Sequence, residues 1–383
     1  MCFSRFCMGL QLQVIASLTP FLTSDLGFSY SRIGILVGLF VAPGVLLALP
    51  SSLFCARFGF RNVGLCGLIL MAAGSLVLIV VDNFWWAAGA RLLGGTGGIL
   101  LNVAFLRLTA ELFEGKAYNL AIGVVMGSWA VGLGVTATSV PLLATAGDWR
   151  LPFWLISGLT LLAALAIYLF APGAPRGASA QGTLWPHRLD SRSRVLSLLL
   201  GSSFACFTAG GIVFLSFGTT FLMDAGIGLT KASAVVGLFT WASLFGTPLG
   251  GWLADRRTGA GLSIYLGAVG AAVMMTFMVV GTTPVIAALM LGLCWGLPAA
   301  PFTGLLQRLL PANALGAGYG LYFMLFYCGF FAFPALGGWL VDVTEATSTA
   351  LWLGVLLLAV AALLYRLARW RAERADLLVE TKI

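Results

Sequence analysis

The chain has 383 residues, of which 60% are hydrophobic and only 9% charged, with a formal net charge of +8. Soluble proteins carry about 25% charged residues, so a surface this poor in charge excludes a water-soluble enzyme or binding module and points to an integral membrane protein. The positive excess has no soluble basic face to occupy, which excludes nucleic acid and leaves anionic membrane lipids as its partner.

At about 20 apolar residues per membrane span, the sequence predicts helices over 3–22, 31–54, 62–81, 85–107, 118–144 and 150–171. The first carries Gln11 and Gln13, the second Pro43-Gly44, the fourth Arg91 and Asn102, and the fifth Trp129. The chain enters this first span with no small-residue cleavage site, so no cleaved leader is expected. Residues 172–194 are polar and rich in Pro, Gly and Ser, and read as a cytoplasmic linker. Six further spans are predicted over 195–222, 231–253, 262–281, 284–307, 316–341 and 349–366, followed by a basic tail over 367–383. The expected fold is therefore an all-α membrane protein with twelve transmembrane helices in two pseudo-symmetric six-helix bundles, residues 1–171 and 195–366.

The pseudo-symmetry is written into the sequence. At a constant offset, Asp25-Leu26-Gly27 is answered by Asp224-Ala225-Gly226, Ser31-Arg32 by Thr230-Lys231, Val37-Gly38-Leu39-Phe40 by Val236-Gly237-Leu238-Phe239, and Arg57 by Arg256. A repeat of half the chain in so apolar a protein is a mark of secondary transporters, whose substrate site lies between the halves near the bilayer midplane.

Charge orients the chain. With both termini in the cytoplasm, Arg5, Arg57, Arg61, Arg107, Lys116, the linker arginines, Arg256, Arg257, Arg308 and the basic tail lie inside, whereas Arg32, Arg150 and Lys231 lie outside. The seven cysteines show no CxxC spacing and read as small core residues, and the single His187 falls in the polar linker. Neither a metal site nor a cofactor is expected. A membrane enzyme would need a nucleophile with its base, a metal cluster or a carboxylate pair, and none of these is legible.

Gly251-Trp252-Leu253-Ala254-Asp255-Arg256, followed by Arg257 and Gly259, resembles the G-x-x-x-D-R-x-G-R loop signature of the major facilitator superfamily. The first-half copy, Ser52 to Arg61, keeps Arg57, Gly59 and Arg61 but has Ser52 and Ala56 in place of the glycine and aspartate. Arg91-Leu92-Leu93-Gly94-Gly95 and Asp148-Trp149-Arg150 resemble the family's fourth-helix motif and its G-W-R turn. The resemblance implies a latch at the cytoplasmic gate, in which Arg57, Arg61, Asp255 and Arg256 hold helix ends. Ala56 cannot act as the aspartate does, so the gate is expected to be looser on the first-half side.

For the substrate site the sequence offers neutral polarity and aromatics: Gln11, Gln13, Asn102, Trp129, Thr208, Trp241, Trp295 and Tyr327, together with Arg91. Each glutamine supplies donors and an acceptor, but helix–helix adhesion remains an alternative for both. About 200° of rotation separates them, so one is expected to face the cavity. Arg91 is either a structural hydrogen-bonding residue or a contact for an anionic substrate. All thirteen Asp and Glu residues are expected in loops, helix ends or the tail. That disfavours a cationic cargo and leaves the coupling ion unknown.

The run Gly9 to Ser17 with Asp25-Leu26-Gly27 loosely resembles the cyanate/nitrate-type permease branch, although the mid-membrane arginines of nitrate porters are missing from helices 2 and 8. The expected protein is a monomeric permease of the bacterial inner membrane that moves a small polar or anionic organic solute by alternating access. A multidrug or metabolite efflux porter is the runner-up, and a non-transporting receptor of the same fold is the third reading.

Overall fold

The computed structural model describes residues 1–47, 50–112, 116–170, 189–254, 259–281, 283–311 and 314–373. Every regular element among them is a helix. The first half holds α1 (Cys2–Ser17), α2 (Thr19–Leu26), α3 (Tyr30–Leu39), α4 (Pro43–Leu47), α5 (Pro50–Phe58), α6 (Phe60–Ile79), α7 (Phe84–Leu112), α8 (Lys116–Ala146) and α9 (Leu151–Phe170). The second holds α10 (Ser191–Asp224), α11 (Leu229–Ala254), α12 (Gly259–Val280), α13 (Pro284–Gly296), α14 (Ala299–Leu309), α15 (Leu315–Thr344) and α16 (Ser348–Glu373).

These helices follow the twelve predicted spans, with α1–α2, α3–α5 and α13–α14 each making one broken span. Among the described residues nine spans are long and apolar enough to cross a membrane unaided, and the pair α1–α2, bent by 51°, makes a tenth. Helix α13 is cut short at Leu297-Pro298.

Local chemistry explains the boundaries. Gly27 and Gly226 end the first spans of the two halves with φ of +63° and +85°, a left-handed geometry that costs a side chain about 1–2 kcal/mol. The repeated Asp-x-Gly is thus a repeated helix stop. Ser29 caps α3 by accepting from the Arg32 N–H at 3.3 Å. Asp190 caps α10 by accepting from the Ser193 N–H at 3.3 Å. Hydrogen bonding from Ser193 holds that exposed carboxyl below the usual carboxylate range. Pro43 opens α4 after a break at residues 40–42, but Pro248 stays inside a continuous α11. Helix α16 runs past the predicted end of its span to Glu373, whose carboxylate accepts from Arg369 Nε at 2.7 Å one turn back.

Packing is densest where glycines let backbones meet. Gly9 of α1 and Gly132 of α8 face one another, and a Cβ on Gly9 would lie 3.0 Å from the Gly132 Cα. Gly246 and Gly296 also meet closely, between α11 and α13 of the second half. In the second half an aromatic cluster fills the centre: Phe204 stacks on Tyr322 and Phe326 at 5.4 and 5.0 Å, and Phe302 lies 5.3 Å away.

Candidate functional site

The two halves meet along a seam whose tight contacts come from the repeated Val-Gly-Leu-Phe motif. A Cβ on Gly38 of α3 would fall 2.5 Å from the Phe331 carbonyl of α15, and one on Gly237 of α11 would overlap Thr138 of α8. Neighbouring contacts continue the closure: Gly34 lies against Pro334, and Trp241 packs on Gly134. The Gln13 Nε2 donates across the seam to the Leu215 carbonyl at 3.3 Å, and the Thr19 hydroxyl donates to the Ser216 carbonyl at 3.3 Å.

A carboxylate fastens one end of this seam. Asp342, near the end of α15, accepts from the backbone N–H groups of Tyr30 and Ser31 at 2.8 Å each and from the Ser31 hydroxyl. It therefore caps the exposed N-terminus of α3 in the opposite half, where the helix dipole favours negative charge. Beside it opens a cavity of about 740 Å³, lined in part by Tyr30, Asp224, Asp342 and Glu345. Asp224 accepts there from the Thr347 hydroxyl at 2.8 Å. At the other end of the molecule, helices α5 and α14 pack mainly within their own halves.

The sequence candidates separate according to this seam. Gln11 and Gln13 point to opposite sides of α1, as their spacing requires. Gln11 is buried inside the first bundle, where its Nε2 donates to the Met71 carbonyl at 3.1 Å and to the Thr160 hydroxyl at 3.3 Å, and its Oε1 accepts from Ser75 at 2.7 Å. Arg91 is 1% exposed. Its guanidinium donates to the carbonyls of Leu36 at 2.9 Å, Gln11 at 2.6 Å and Leu12 at 3.3 Å, and lies 4.6 Å above the Phe40 ring. All of these partners belong to the first half, so Arg91 clamps α1, α3 and α7 together.

Trp241 lies on the seam, and Trp129 contributes its backbone to the α1–α8 contact. Thr208 is buried in α10. Trp295 packs against Phe207 and Phe239 at 6.4 and 5.2 Å inside the second bundle, with its ring nitrogen against Gly211. Asn102 and Tyr327 come together, one from each half. Of the gate residues, Arg61 donates to the Tyr168 carbonyl and lies 5.4 Å from that ring, and Arg57 lies 5.4 Å above Phe58. Asp255 and Arg256 lie outside the described residues, as do the side chains of Ser52 and Ala56.

Arg5, which the sequence counts among the inside charges and within the predicted span 3–22, is a residue of α1 only 5% exposed. Its guanidinium donates to Asn102 Oδ1 at 2.6 Å and reaches Met8 Sδ at 3.4 Å. Tyr327 of α15 stands beside Arg5 and Asn102. The available signal was the apolar flank of Phe3, Phe6 and Cys7, which marks a helix interior. For Asp342 no local signal exists, because its partners lie more than 300 residues away.

The sequence profile described as Major Facilitator Superfamily matches residues 1–334. The chain is 28% identical over 266 residues to a chloramphenicol resistance protein of Streptomyces lividans, covering 67% of this chain and 66% of that protein. It is 26% identical over 259 residues to the uncharacterized MFS-type transporter YbcL of Bacillus subtilis, covering 64% of that protein. Matches to these relatives thus span slightly less than two thirds of their length. The lysosomal dipeptide transporter MFSD1 of Homo sapiens is 25% identical over 366 residues, with 89% of this chain and 78% of that protein covered. In fold, the chain resembles a bacterial homolog to the human lysosomal transporter Spinster in an inward-facing and unoccupied conformation. The TM-score is 0.79 at 16% identity, over 97% of this chain and 96% of that one.

Proposed function

The chain belongs to the Major Facilitator Superfamily and is a transporter, not an enzyme, and from that premise we propose that it moves a small polar or anionic organic solute by alternating access. The observation that carries this reading is the asymmetric seam. The halves are closed at the Asp342 end by glycine contacts and a cross-half cap, while α5 and α14 at the opposite end are held mainly by their own bundles. With the orientation given by the basic residues, the capped end faces outward.

Gln13, Asn102, Trp129, Thr208, Trp241, Trp295 and Tyr327 line or back the substrate path in this reading, and Gln11 and Arg91 hold the bundle that presents them. Arg57, Arg61, Asp255 and Arg256 serve the cytoplasmic gate. The carrier acts as a monomer in the bacterial inner membrane with both termini inside. The narrower kinship with cyanate/nitrate-type permeases rests on Gly9 to Ser17 and Asp25 to Gly27 alone. Efflux is the second reading, favoured by the likeness to a chloramphenicol resistance protein. Overexpression that raises the inhibitory concentration of such a drug would select it.

The test is side-specific maleimide labelling of Thr138→Cys on the seam and Gly251→Cys near the other end, each in a background without native cysteines, in sealed vesicles. Alternating access predicts that weakening the cap with Asp342→Ala raises labelling at 138 from outside and lowers labelling at 251 from inside. Labelling that stays fixed at both positions sinks the proposal.

A further inference from the structure

Helix α16 continues past its apolar run, unbroken to Glu373, and carries Arg366, Arg369 and Arg371 on its last turns. Two of these arginines stand where α16 packs on α12. The Arg369 Nη1 and the Tyr365 hydroxyl converge on the first turn of α12, where a Cβ on Gly261 would lie 3.0 Å from one and 3.1 Å from the other. Gly261 thereby leaves room for a guanidinium against the helix. Glu373 accepts from the Arg369 Nε at 2.7 Å and fixes its head. Tyr265 of α12 lies beside Arg366 and Arg369, with its ring 5.1 Å from that of Tyr365. From this polar cluster toward the middle of the spans, both helices carry exposed apolar stripes: Leu266, Val269 and Val273 on α12, and Trp352, Leu356 and Leu363 on α16. At the constant repeat offset, the first half has Cys66, Ala166, Ile167 and Phe170 in place of Tyr265, Tyr365, Arg366 and Arg369. The cluster is an addition of the second half and no part of the shared scaffold.

We propose that the α12–α16 groove binds one anionic phospholipid, with its phosphate on Arg366, Arg369 and the Tyr265 hydroxyl and its acyl chains along the two apolar stripes. The guanidinium groups donate to the phosphate oxygens in charge-assisted bonds, and the tyrosine adds a neutral donor. Two arginines against the single carboxylate of Glu373 leave the cluster positive, which suits a lone phosphodiester. A zwitterionic headgroup would bring its ammonium up against the same arginines. A free phosphate would leave the stripes unused, so the occupant is the whole lipid. The bound lipid joins two outer helices of the second bundle and anchors their cytoplasmic ends in the headgroup layer. This inference rests on the membrane-spanning fold and is independent of the cargo carried.

The test titrates the purified full-length protein in detergent with phosphatidylglycerol, phosphatidylcholine and phosphatidylethanolamine of equal chain length, and with glycerol 3-phosphate as the headgroup without chains. Melting temperature is followed throughout, and native mass spectrometry counts the lipids retained. The expected result is a rise in melting temperature with phosphatidylglycerol that exceeds the rise with either zwitterionic lipid, no rise with glycerol 3-phosphate, and one phosphatidylglycerol retained. Arg366→Gln and Arg369→Gln should each weaken phosphatidylglycerol binding about fivefold, and Tyr265→Phe about twofold. Arg371→Gln is the control. It removes the same charge from the same helix, but Arg371 lies about 200° around it from Arg369, over the Trp370 ring at 5.9 Å, and binding should be unchanged. Should Arg369→Gln not fold, Arg366→Gln against Arg371→Gln decides alone. Equal stabilisation by all three lipids, an equal shift with glycerol 3-phosphate, or equal weakening by the control would overturn the site, the last by showing a diffuse basic surface.

Discussion

The two halves share a fold and a repeat, yet they solve the same packing problem with different chemistry. At the repeat position where Gln11 ties α1 to α6 and α9 by hydrogen bonds, the second half has Gly210, and a Cβ there would fall 2.8 Å from Leu358 of α16. Polar adhesion in one bundle is replaced by close backbone approach in the other. The aromatic position of the repeat shows the same division. Phe40 lies beneath the Arg91 guanidinium, whereas Phe239 packs on Trp295 at 5.2 Å. The first half is thus a polar clamp with broken spans 1 and 2, and the second is an aromatic core around a continuous α10.

The largest test of that contrast is Arg91→Leu. It removes three hydrogen bonds from a charged donor to carbonyls of α1 and α3, and bonds of that kind are each worth about 1.5–3 kcal/mol. We expect a loss of about 3 kcal/mol or more, read as a drop in melting temperature with early exposure of first-half sites to protease. Equal early exposure of both halves would erase the distinction between clamp and core. Gly95→Ala and Gly292→Ala come next. Their Cβ atoms would overlap the carbonyls of Phe40 and Phe239, the same repeat position in each half. Overpacking of this kind costs about 1–3 kcal/mol, and we expect similar losses in both variants by thermal melting. A large difference between them would show that the backbone symmetry is less strict than the contacts indicate.

Gln11→Leu should cost about 1–2 kcal/mol, because the Ser75 hydroxyl and the Met71 carbonyl lose their partner in a dry site. Gly210→Ala, its counterpart, should act through crowding of Leu358 instead, so the double variant should be additive in a melting experiment. The smallest effect is expected for Asp342→Ala. Loss of a helix cap costs about 1 kcal/mol, and its mark is increased cysteine labelling at the closed end.

The sequence by itself determined the class, the helices and the symmetry. Composition and apolar run length are local quantities, and a bilayer leaves helices as the way to satisfy the backbone of spans this apolar. The repeat was legible because both copies keep the same stop, Asp-x-Gly, and the same contact motif, Val-Gly-Leu-Phe. What that motif does was not legible, because a glycine that cuts a groove reads the same in sequence whether the groove faces lipid, its own bundle or the opposite half. Tertiary structure alone decided that Gly38 and Gly237 face across the seam, that Gln11 turns inward while Gln13 turns outward, and that Asp342 caps a helix in the other half. It also buried Arg5 at the seam. Each of these depends on which helices become neighbours across 60 to 312 residues of chain, a choice made by the packing of whole bundles that no single span encodes.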